Sequence, residues 1–401
     1  MWKSRIAVAA ITTVVVGVAL VGCSSSAGSS STSLTVEDYY SAPQSSVMDG
    51  IYQACGAQNG VTVTSTHVPA AGLIAKVLQQ SSSKTLPDVL MLDNPEVQQI
   101  AASGALSPLA DYGITGEGFA PGVVSAGTYN GKLYGLAPGV NSIALFYNTD
   151  LFTAAGLTPP TTWDELKADA TKLTSGDQYG FAFSGINTFE GTWQFLPFMW
   201  TNGGDEKDIA TPQTAQALQL LVDMVDNGSA SKSVVNWSQN DVLDQFTAGK
   251  TAMMVNGPWQ FPALAKFTNL HWASVPIPGK LATDKPVAPL GGETFNVPNT
   301  GNKDTMATAG KIVACINSDE NQATIAKSAG LIPSTLTVAT KAVAENPLLA
   351  SFATTVATAR ARTGELGADW PAAATRIYTA EQLALTGKAT PTDALAQAQN
   401  Q

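Results

Sequence analysis

Three cysteines, two histidines and eight tryptophans are the residues from which this 401-residue chain could build chemistry. His67 and His271 lie far apart, and no Cys/His spacing forms a ligand cluster, so no metal site is predicted. No nucleophile elbow, phosphate-cradling glycine loop or metal-hydrolase motif occurs either, and no cofactor is expected. Tryptophan, in contrast, offers a wide, stiff indole for stacking at low entropic cost. Seven of the eight follow the N-terminal leader, and which of them line a cleft is the central question.

That leader begins with Lys3 and Arg5, followed by an apolar run from Ile6 to Gly22. The run is shorter than the roughly 20 residues a spanning helix needs. It reads as a secretory signal over residues 1–22. Leu20-Val21-Gly22-Cys23 resembles the lipobox of bacterial lipoproteins. The resemblance implies cleavage before Cys23, acylation of that residue, and an anchor on the outer face of the cytoplasmic membrane. Residues 23–33 are rich in Ser and Gly, a composition that cannot bury a core and serves as a tether.

Without the leader the chain carries 19 Lys+Arg against 31 Asp+Glu, a net charge of −12. An acidic chain with no basic run is a poor nucleic-acid binder, because phosphate neutralisation drives that binding. With Cys23 set aside, Cys55 and Cys315 form an even pair in an oxidising compartment. A disulfide and two buried free thiols both remain open, since sequence does not give their separation. The length fits two domains.

The elements that must position any site alternate from Leu34 onward. Strand patterns at 33–40 (a short strand running into a loop), 61–66 and 88–92 alternate with helical spacing at 47–59, 73–80 and 98–102. Further strands are expected at 142–147 and 251–255, and a helix at 305–318. Thr162-Trp-Asp-Glu165 fits a capping box. Strands alternating with helices predict a parallel sheet flanked by helices.

Seven landmarks then fall in a set order. They are Pro87-Asp88-Val89 with Gly104-Ala-Leu-Ser-Pro-Leu109, Gly131-Lys-Leu-Tyr-Gly135 leading to Phe146-Tyr-Asn-Thr-Asp-Leu151, and Pro160-Thr-Thr-Trp-Asp-Glu-Leu166. Phe246-Thr-Ala-Gly-Lys-Thr-Ala-Met253, Asn256-Gly-Pro-Trp259, Gly291-Gly292 and Gly330-Leu-Ile-Pro333 follow. This series resembles the sugar-binding family of ABC-importer solute receptors related to maltose-binding protein, over essentially the whole chain after the leader. The resemblance implies an α/β fold of two lobes, each a mostly parallel sheet flanked by helices, with the ligand cleft between them. Lobe 1 would comprise 34–140 plus 291–340, and lobe 2 141–290 plus 341–401. The crossings would run near Gly139–Asn141 and Pro289–Gly292, where Gly and Pro suit backbone rotation.

It also implies a lipid-anchored, monomeric receptor that captures a di- or oligosaccharide and hands it to ABC permease subunits. A glycerophosphodiester, amino sugar or polyamine is the alternative ligand within the same fold. A glycosidase would need two carboxylates at a set separation, but the motif order belongs to receptors, so no enzyme is expected.

A sugar presents an apolar C–H face and a belt of hydroxyls, which calls for indole surface with fixed carboxylates and amides. Trp259 ends Asn256-Gly-Pro-Trp just beyond a strand, where α/β crevices lie, and the family motif stacks its tryptophan on ligand. Trp193 stands where maltose-type relatives place a cleft aromatic, and Trp370 is a further candidate. Asp93 and Asn94 follow a strand at its carboxyl end. Asn141 takes the crossing position where maltose-type receptors carry glutamate. Gly291, Gly292 and Glu293 mark the second crossing. Tyr40 and Ser41 form a rim after the first strand, and Glu190 completes the set.

Overall fold

A computed structural model describes residues 33–401. The leader 1–22, Cys23 and all of the tether except Ser33 lie outside the described residues. Ser33 already belongs to the first strand, Ser33–Asp38.

Val89–Leu92 is apolar throughout, and the strand Val89–Asp93 shows why. Val89 and Met91 face a core with Leu34, Val36 and Phe295, while Leu90 and Leu92 face another with Leu73, Val77 and Ile100. Period-two alternation thus buries both faces under helices. The strand belongs to a sheet ordered Thr62–His67, Ser33–Asp38, Val89–Asp93, Glu293–Pro298, Leu106–Ser107, with Gly135–Leu136 also on Glu293–Pro298. A second sheet runs Tyr179–Ala182, Thr251–Asn256, Ala144–Asn148, Trp272–Val275. There Leu145 and Phe146 point to opposite faces, and Phe146 meets Phe261, Trp272 and Phe352 at centroid distances of 6.2, 5.4 and 6.0 Å.

The two-sheet α/β architecture agrees with expectation, but the sheets are mixed rather than mostly parallel. Ser33–Asp38 pairs in parallel with both neighbours, whereas Glu293–Pro298 runs antiparallel to every strand it meets. In the second sheet only Tyr179–Ala182 and Thr251–Asn256 are parallel. The reason is connectivity. Glu293–Pro298 returns from the other sheet, and Ala144–Asn148 enters from it. Neither follows a β–α–β crossover, so neither is held to the parallel direction.

The junction contains the two expected crossings and a third element. Asn141 and Gly291 exchange backbone hydrogen bonds of 3.1 and 2.9 Å. Gly139–Val140 pairs with Ile332–Pro333, and Pro289–Leu290 pairs in parallel with Arg360–Ala361. Gly292 has φ of +148°, and a Cβ there would lie 2.9 Å from the Gly139 carbonyl oxygen. That position therefore requires glycine.

Cys55, in the helix Gln44–Gln58, is disulfide-bonded to Cys315, in the helix Lys303–Ile316, with Cα atoms 5.8 Å apart. The free-thiol alternative is thereby excluded. The capping box forms as expected, with Thr162 accepting from the Glu165 amide and Glu165 from the Thr162 amide. Trp163 packs inward and donates from Nε1 to the Pro278 carbonyl at 3.1 Å.

Candidate functional site

The helix Phe189–Thr201 begins at Thr188, whose hydroxyl accepts from the Glu190 amide. One turn in, Trp193 points at the junction and is 7% exposed. A Cβ on Gly291 would lie 2.7 Å from the Trp193 ring and 2.0 Å from the Asn141 side-chain oxygen. Glycine at 291 is what lets the indole reach the crossing strand.

On the Trp193 ring lies the guanidinium of Arg362, 4.5 Å from the centroid. Its two terminal nitrogens donate to the Asp93 carboxylate at 2.7 and 2.5 Å, and one also donates to Asn94 Oδ1 at 3.2 Å. Such a fork pairs planar donors with both carboxylate oxygens and fixes orientation as well as charge. Strand geometry explains why Asp93 is available: it is the last residue of Val89–Asp93, at the carboxyl end of the sheet. Asp93 also caps the short turn Asn94–Glu96 by accepting from the Asn94 amide.

Asp93, Glu96, Trp193, Arg362 and Trp370 line one gap of about 10 Å³, room for about one water. The junction is closed around Arg362. Concavities of about 800 Å³ beside Lys167 and Asp223, and about 650 Å³ beside Val124 and Thr363, contain no aromatic residue.

Two carboxyl groups, Asp93 and Glu96, line this gap, and a third stands near it. Glu293 stands opposite Asp93 in the sheet register and accepts from the Tyr39 hydroxyl at 3.2 Å. Burial, and then the charge of Asp93, push its carboxyl up to about 7. The same two causes, in that order, raise Glu96 well above the usual carboxylate range. Glu96 is 8% exposed and its Oε2 has no hydrogen-bond partner. Burial also lifts the Tyr39 and Tyr40 hydroxyls well above their ordinary value.

The sequence-derived candidates separate into those at the gap and those elsewhere. Asp93, Trp193 and Trp370 line it, with Asn141, Gly291, Gly292 and Glu293 on the adjoining crossings. Asn94 is buried and braces the junction, donating from its side chain to Leu290 and from its backbone to Gly292. Trp259, half-buried in the turn Pro258–Gln260, lies against Gly257 and does not line this gap. Gln194, next to Trp193, donates to the Val255 carbonyl at 3.0 Å and ties the two tryptophan-bearing segments together. Tyr40 is buried in the first-sheet core, and Ser41 is exposed. Glu190 accepts from the Gln239 amide at 2.9 Å, so it holds the start of the helix Gln239–Thr247, and burial raises its carboxyl.

Arg362 and Glu96 were not among the candidates. The signal available for Arg362 was scarcity: of four arginines in the chain, two stand in Arg360-Ala-Arg362. Arg360 turns to the second lobe, where it pairs with the buried Glu206 at 2.9 and 3.0 Å and covers Trp200. Trp200 donates to Glu206 at 2.8 Å and packs as core. Among the described residues no group of three or more His, Cys, Asp or Glu is arranged to hold a metal.

Two mixed α/β halves, several crossings, and a polar-aromatic gap at their junction define a two-lobe binding-protein fold. The chain belongs to the bacterial extracellular solute-binding protein family, whose profile matches residues 50–351. A Brucella abortus protein named as a binding protein is 30% identical over 256 residues, 61% of this chain and 62% of that one. A maltooligosaccharide ABC transporter solute-binding lipoprotein of Streptococcus pneumoniae is 27% identical over 265 residues, 62% of this chain and 60% of that one. The chain thus spans about three fifths of the length of these curated relatives. Among solved structures, maltose-bound MalE3 of T. maritima superposes with a TM-score of 0.84 at 24% identity, covering 92% of this chain and 98% of that one.

Proposed function

We propose that this protein is the receptor component of an ABC importer, and that it captures a di- or oligosaccharide at the junction of its two lobes. One observation carries the reading: an indole from one lobe and a carboxylate from the other line a single gap, beside the glycines of the crossing strands. The name of the Streptococcus pneumoniae relative supports the ligand class and the transporter. The lobes would be 34–140 plus 291–340 and 141–290 plus 341–401. Opening would part Asp93 from Arg362 and expose the Trp193 face. Ligand hydroxyls would then replace part of the lost water contacts, and closure would follow because the closed form binds more tightly. Trp259 would contribute a second aromatic wall from the end of Thr251–Asn256.

Its role is capture and delivery rather than catalysis. Acylated Cys23 would hold a monomeric receptor beside its permease on the outer face of the membrane. Calorimetric titration with mono-, di- and trisaccharides tests the ligand class. A heat of binding for at least one is expected, and silence across the panel refutes it. Fractionation of cells carrying Cys23→Ser tests the anchor. Release into the medium is expected, and retention on membranes rejects it.

A further inference from the structure

We infer that the junction, once its two lobes part, takes a sugar bearing a protonated amine, which Glu96 from the gap and Glu293 from the adjoining crossing would meet. This rests on the sugar-receptor reading and narrows it. Three carboxyl groups, Asp93, Glu96 and Glu293, converge on the junction, and a single cation, Arg362, accompanies them. Asp93 alone takes both terminal nitrogens of Arg362 in a fork, and only the buried Nε of that guanidinium is left without a partner. Glu293 has only the Tyr39 hydroxyl as a side-chain partner, and Glu96 forms no salt bridge among the described residues. Glu96 is 92% buried by its 8% exposure, lines the gap, and leaves Oε2 unpartnered.

Burial and the Asp93 charge outweigh the pull of Arg362 on both glutamates, and buried carboxyl groups in that balance hold their protons. A neutral sugar would meet them as two acids able to exchange ordinary hydrogen bonds. An ammonium group would let them ionise, and each hydrogen bond would become charge-assisted and roughly twice as strong. The chain's own Arg362 already lies over the Trp193 face against a carboxylate, the same pairing of cation, ring and carboxylate. By contrast, the buried Glu206 has Arg360 beside it.

The test is calorimetric titration at pH 7 with matched probes: glucosamine against glucose, and glucosamine disaccharides and trisaccharides against their N-acetylated forms and glucose counterparts of the same linkage. The amine members are expected to bind at least about tenfold tighter than their neutral partners. That ratio should fall toward one in Glu96→Gln/Glu293→Gln. Equal or tighter binding by the neutral members overturns the inference and leaves the sugar-receptor reading standing. Binding by neither class overturns both. The comparison on the unaltered protein stands alone if the double variant does not fold.

Discussion

Asp93 and Arg362, 269 residues apart in the chain, meet through two hydrogen bonds of 2.7 and 2.5 Å and join the end of the strand Val89–Asp93 to the turn after Arg360–Ala361. Arg362 is 5% exposed, so this pair works at reduced dielectric. Two residues upstream, Arg360 is held by Glu206 of the second lobe. The short segment Arg360–Arg362 is therefore fastened by alternate side chains to Glu206 and to Asp93.

The closed junction should depend on this pair. In a cycle of Asp93→Asn, Arg362→Gln and the double variant, urea unfolding should give a coupling of about 0.5–3 kcal/mol. Small-angle scattering should show each single variant more open than the parent. Additive energies and unchanged scattering would mean that the contact does not hold the lobes.

Trp193→Phe keeps an aromatic ring but loses indole area over Arg362. Sugar affinity should fall while folding survives, because the substitution retains most of the buried volume. Trp259→Ala removes a half-buried ring lying on Gly257. It should abolish sugar binding with little change in melting temperature. Retained affinity in that variant would remove Trp259 from the binding surface.

The Cys55–Cys315 bond links positions 260 residues apart in sequence and so constrains much of the unfolded chain. Replacing both with alanine should lower unfolding free energy by about 2–4 kcal/mol. Chemical denaturation of parent and variant measures it; identical midpoints would show that the bond adds no stability.

Stability should fall as pH rises from mild acid. Glu381 is 1% exposed, neither carboxyl oxygen has a partner, and burial alone raises it well above its ordinary 4.5. Glu293 is raised from 4.5 to about 7. Between the unfolded and folded values the native state keeps a proton that the unfolded chain has released. Stability from each group is thus full below about pH 4.5 and is lost as pH climbs through the folded value. Melting temperature should be higher at pH 5 than at pH 8. Glu381→Gln should flatten this slope and stabilise the protein at pH 8 by about 1–3 kcal/mol. An unaltered slope would show that Glu381 does not titrate in that range.

The sequence by itself determined the elements, the family and much of the crossing. Val89–Leu92 reads as a strand buried on both faces because four apolar residues in succession have no other stable use there. Thr162 and Glu165 announce a helix start because their bonds span only three residues. Gly291 and Gly292 mark a crossing because backbone approach is a local property. Strand direction in Glu293–Pro298, the pairing of Cys55 with Cys315, and which tryptophans reach the gap were decided only by tertiary structure. Each depends on where a distant segment returns, which local pattern does not encode. Arg362 shows the reason most clearly. It sits in the turn just after the short strand Arg360–Ala361, with no motif around it, and its role exists only because Asp93 and Trp193 are brought to it from 269 and 169 positions away.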